Sequence, residues 1–166
     1  MTADMRTTRP GTTHRKTEAR TKAATRRALV GLHLFNALSA VGGGIALAAG
    51  GLGVPTALLR HTPFDSFVVP GIFLATVIGG SAMIGATALL AHWRRAVFTS
   101  ATAGAIMVGW ILGETLLVEG FSWLQGLYLF TGSIVVVASI RLSRATTPDP
   151  EPRTVLPDRD DREVLR

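Results

Sequence analysis

The chain has 166 residues, a net charge of +6, a mean hydropathy of +0.36 and no cysteine. Absence of cysteine removes thiol redox chemistry, thiolate metal sites, disulfide exchange and palmitoylation. So much of the length is apolar that no room is left for a separate soluble domain of the usual 50 residues or more.

Residues 1–27 carry Arg6, Arg9, Arg15, Lys16, Arg20, Lys22, Arg26 and Arg27 against Asp4 and Glu18. They have almost no large apolar side chain and are predicted to form a disordered basic tail. Such a tail suits anionic lipid or a solvated topology signal; no nucleic-acid partner is expected. Four apolar stretches follow, at 28–50, 67–91, 96–118 and 123–140. Each is long enough to cross a bilayer, and since lipid leaves backbone groups unsatisfied, each must be helical. The expected fold is therefore an all-α integral membrane four-helix bundle, a transmembrane domain over 28–140 between a tail at 1–27 and a disordered, proline-rich tail at 141–166.

The basic residues orient it. Only Arg60 lies between the first two spans, Arg94 and Arg95 lie between the second and third, and Arg141 onward holds six more. The positive-inside rule then places the N-terminus, the Arg94-Arg95 loop and the C-terminus in the cytoplasm. A cleaved secretion signal, with Thr25-Arg26-Arg27 ahead of the apolar run and Ala46-Leu47-Ala48 as the cleavage site, is the rival. The length of the run and the three spans behind it favour an uncleaved helix.

Between spans one and two, Thr56-Ala57-Leu58-Leu59 is predicted as a short interfacial helical turn. Thr62-Pro63 with Asp65 reads as a helix start, and Pro70 either kinks that helix or opens the true span, with a break favoured near Phe67 to Pro70. Gly120 as a C-cap and Ser122 with Gln125 as a capping box make the last two spans an antiparallel hairpin. Small residues four apart are predicted to pack helix on helix: Ala40, Gly44 and Ala48; Gly71, Ala75 and Gly79; Ala101, Ala105, Gly109 and Gly113. Gly42-Gly43-Gly44 lies inside a span, so it is not a nucleotide loop.

A carboxylate within a span is costly and generally faces protein or water, which singles out Glu114. It lies ~9 Å below the turn at Gly120, by helical rise, and Gln125 lies at matching depth across the hairpin. Glu114, Gln125 and Tyr128 form one candidate polar site, either a hydrogen-bonded strut or a proton or cation site. His33 and Asn36, three apart on one face, form a second, expected to meet Thr87, Ser100 or Thr102. The four histidines match no metal-ligand spacing, so neither metal nor cofactor is expected, and no catalytic residue stands out. Trp93, Trp123 and Tyr128 fall where aromatic belts form, while Trp110 lies deeper.

Leu38-Ser39-Ala40-Val41-Gly42-Gly43, Thr62-Pro63-Phe64 with Val69-Pro70-Gly71, Gly109-Trp110-Ile111 with Glu114, and Trp123-Leu124-Gln125-Gly126-Leu127-Tyr128, taken as a set, resemble small, functionally uncharacterised four-helix membrane proteins of bacteria. The resemblance covers residues 28–140 and implies a multi-pass protein of the bacterial inner membrane, with no activity attached. The residues support a non-enzymatic accessory or scaffold bundle. Its partners would be membrane lipid and, through small-residue faces, a second copy or another membrane protein. A proton-coupled transporter using Glu114 and a membrane enzyme acting on lipid or quinone are the alternatives.

Overall fold

The computed structural model describes residues 11–50, 53, 55–60, 62–117 and 123–145. Among them every regular element is helical: α1 (Gly11–Gly50), a 3₁₀ turn (Thr56–Leu59), α2 (Val68–Phe73), a π-helical segment (Leu74–Gly79), α3 (Gly80–Leu90), α4 (Ala96–Leu117) and α5 (Trp123–Arg144). The segments from α2 to α3 run on as one helix, so four helices are long and apolar enough to cross a membrane.

α1 packs on the second span and on α5, and α4 packs on α3 and α5, which closes a ring of four. Rising numbers on one helix meet falling numbers on its neighbour, as in Gly44 with Gly71 and Gly104 with Gly132, so sequential spans are antiparallel. Hydroxyls on outer faces bond within their own helix: Thr76 to the Ile72 carbonyl, Thr87 to Met83 and Ser133 to Leu129. An apolar medium offers them no other acceptor.

Three expectations are corrected. Residues 11–27, assigned to a disordered tail, are helical and continue α1 without interruption. Ala, Arg and Lys are good helix formers, and growth from an existing span needs no new nucleus. Thr62 starts no helix. Its hydroxyl donates to the Leu59 carbonyl at 2.9 Å and accepts from Phe64 N–H at 3.4 Å, so it ends the preceding turn. The second span instead begins at Val68. Pro70 falls in its first turn, where a missing N–H costs nothing. Finally, α5 runs to Arg144 rather than stopping at Ile140. The remaining parts of both tails, and Gly120 and Ser122 with the capping expected of them, lie outside the described residues.

The small-residue faces divide. Gly71, Ala75 and Gly79 lie against α1, where Gly44 meets Gly71 and Ala75, and Gly79 meets Val41 and Ala37. On α4 the buried stripe is Ala96, Ser100, Ala103, Gly104, Met107 and Ile111. Ala105 and Gly109 are exposed, and Gly109 and Gly113 face open space. The face predicted from Ala101, Ala105, Gly109 and Gly113 therefore points away from the bundle. Phe73 stacks on Trp110, ring centres 4.8 Å apart, and joins the second span to α4.

α3 ends in a Schellman motif: Trp93 N–H bonds the Ala88 carbonyl at 3.1 Å and His92 N–H bonds Leu89 at 3.4 Å. His92 takes the left-handed position, φ 55°. Arg26 of α1 reaches the same end, its Nε donating to the Leu89 carbonyl at 2.7 Å and its Nη2 to the same oxygen. A β-branched residue at position 92 would meet the left-handed penalty of about 1–2 kcal/mol in full. His92→Val is thus expected to unfold at lower temperature in detergent than His92→Gly; equal melting of the two would refute this.

Candidate functional site

The inward faces of α1, α4 and α5 carry buried polar side chains. His33 and Asn36 are 1 % and 2 % exposed, Ser100 and Ser139 are 0 %, and Gln125 and Thr131 are 7 % and 6 %. Such groups need partners at this depth. His33 Nε2 lies 2.8 Å from Ser100 Oγ, and Ser100 Oγ lies 2.8 Å from Ser139 Oγ. One imidazole and two hydroxyls thus join three helices. Each hydroxyl can donate and accept, so the chain can run in either direction. A turn further along α1, Thr131 Oγ1 donates to Asn36 Oδ1 at 3.2 Å and shares its hydrogen with the Tyr128 carbonyl, also at 3.2 Å.

Gly85 makes room for this cluster. A Cβ at Gly85 would lie 2.7 Å from His33 Cε1 and 2.9 Å from Nε2, so the imidazole rests directly on the α3 backbone. Apolar layers bound the polar ones. Leu29, Ala88, Leu89, Ala96 and Val135 close the end near Arg26, and Ala40, Ile78 and Met107 pack with Tyr128 and Trp110 beyond Asn36.

Ser100 is the sequence-predicted partner that the fold brings to His33. Thr87 and Thr102 are exposed, and Thr87 bonds its own helix. Ser139 and Thr131 were not among the expected partners. A span ending at Ile140 would put Ser139 at the headgroups; the extension to Arg144 carries it more than a turn inside. The spacing of Gln125, Tyr128, Gly132, Val135 and Ser139 along one face is the signal that could have found it.

Glu114 continues the α4 stripe one turn past Ile111 and is half-buried. Its carboxylate makes no hydrogen bond with Gln125, and none to any other described residue. Gln125 is buried and has a partner of its own, while Tyr128 is half-buried against the Ala40, Ile78 and Met107 layer. The structure therefore places the three residues toward one end without linking Glu114 to the others.

His33 and Ser100 have the separation of a base and a nucleophile. No carboxylate orients the ring among the described residues, and the complete burial of Ser100 offers a substrate no approach. Nor do the described residues hold a group of three metal-binding side chains. The fold and its interior define a multi-pass membrane protein of the four-helix class. Comparison with family models, curated proteins and solved structures finds no match.

Proposed function

We propose that this protein is a non-enzymatic accessory or scaffold component of the bacterial inner membrane, with both termini in the cytoplasm, which binds a transmembrane helix of a second copy. The observation that carries the reading is the outward small-residue face of α4. Ala105 and Gly109 are exposed, and Gly109 and Gly113 have nothing beside them. Small residues four apart let helix backbones approach closely where the hydrophobic effect gives no drive. The polar interior supports the same reading, because its hydroxyls and imidazole are engaged with one another.

A chain without cysteine allows a direct test. Gly109→Cys is expected to form a disulfide-linked dimer on mild oxidation in native membranes, and Ile84→Cys, on the exposed side of α3, is not. Adding Ala105→Leu should reduce the Gly109→Cys crosslink severalfold. Equal crosslinking at both positions would sink the reading.

A second reading keeps one supporting observation: Glu114 lies on the inward stripe, its carboxylate without a hydrogen-bond partner among the described residues. In that case Glu114→Gln in proteoliposomes abolishes proton-coupled uptake or efflux. A pH-driven flux that Glu114→Gln leaves unchanged would exclude Glu114 as the coupling group.

A further inference from the structure

The outer surface of α5 is furrowed. Phe130, Ser133, Ile134, Val137, Ala138 and Arg141 line an open groove of about 330 Å³. Phe130, Ile134, Val137 and Arg141 follow one another at intervals of four, three and four and share a face. Ser133 adds little polarity, since its hydroxyl is bonded to the Leu129 carbonyl at 2.7 Å. The groove is therefore apolar along its length and ends on a guanidinium.

Its dimensions are those of half a bilayer. From Phe130 to Arg141 the helix rises ~16 Å, against ~15 Å for one leaflet of a 30 Å hydrocarbon core. Arg141 is exposed and its guanidinium makes no hydrogen bond or ion pair with the described residues, in contrast to that of Arg26, which is committed to Leu89. Arg144, on the next turn, is exposed as well. A guanidinium at headgroup level, free to offer two parallel N–H donors, matches a phosphate.

We propose that this groove binds one anionic phospholipid, with an acyl chain along Phe130, Ile134 and Val137 and the phosphate on Arg141. The proposal rests on the membrane reading and on no particular function. Two arginines a turn apart favour a headgroup with net negative charge over one whose phosphate is accompanied by an ammonium, which they repel. They also offset the carbonyl end of α5, which would otherwise push a phosphate away.

The test is lipid retention by the full chain in mild detergent, read by native mass spectrometry during titration with phosphatidylglycerol or phosphatidylcholine. Wild type is expected to retain phosphatidylglycerol in preference. Arg141→Gln should weaken that retention about tenfold, the effect of losing one charge-assisted contact. Val137→Trp, which fills the groove and leaves the charge, should weaken it comparably. Arg27→Gln, which removes a charge that does not line the groove, should leave it unchanged. Equal retention of the two lipids, equal loss in Arg27→Gln, or full retention in Val137→Trp would each overturn the site. Resistance of wild type to alkaline carbonate extraction reports membrane integration separately, so a failed groove and a failed membrane reading give different results.

Discussion

Gly71→Leu is expected to destroy the packing of the first two spans, and Gly71→Ala to destabilise the protein by about 1–3 kcal/mol, the usual range for overpacking. The helices cross here with no side chain between them. A Cβ on Gly71 would lie 2.6 Å from the Gly44 carbonyl oxygen and 2.8 Å from Ala48 N. One on Gly44 would lie 2.5 Å from the Gly71 carbonyl oxygen and 2.8 Å from Ala75 N. The obstructing atoms are backbone and cannot rotate aside, so the helices must separate. Separation forfeits dispersion contacts along the crossing, and in lipid no hydrophobic drive compensates. Gly42, two residues from Gly44, has nothing within 4 Å of its missing Cβ, so Gly42→Ala should be neutral or mildly stabilising. Thermal unfolding in detergent ranks the variants. If Gly71→Ala melts with Gly42→Ala, the close crossing is not what holds these spans.

The second large effect concerns His33 and Gly85. Gly85→Ala forces the imidazole off the α3 backbone and away from Ser100, and should cost about 2 kcal/mol or more from overpacking and a lost buried hydrogen bond. His33→Ala alone leaves a void and should cost about 2–4 kcal/mol, on the scale of other large-to-small core changes. Together they should cost clearly less than their sum, because the new methyl occupies space the ring has vacated. A double-mutant cycle on unfolding free energies reads this directly. Strict additivity would show that the contact between ring and glycine carries no energy.

Much of this architecture was legible in the sequence because bilayer physics is demanding. Apolar length located all four spans, and the spacing of His33 and Asn36 placed them on one face, with Ser100 as one of three polar partners at similar depth. The faces of the first two spans were legible too, since Gly44 and Gly71 lie where spacing by four puts them. α4 misled for a physical reason: small residues four apart satisfy the same rule whether they face protein or lipid. Its true inner face is marked by Ser100, whose hydroxyl needs a partner, and not by the glycines. Glu114 could be placed on a span, but its lack of a link to Gln125 depends on side-chain positions that depth matching does not fix. The helical stretch 11–27 escaped because local composition argued for disorder while continuity with a span favoured helix.

That continuity changes what α1 is mechanically. Forty residues of unbroken helix make a rod ~60 Å long, twice the thickness of a hydrocarbon core of ~30 Å. Arg26 clasps it to the end of α3, so the basic stretch 11–25 beyond is a cantilever with its fulcrum at that bond. A load on the free arm is borne as torque about Arg26 and passes first to Leu29 and His33, the residues just inside the support. The polar junction of three helices sits where a lever of this kind would be felt.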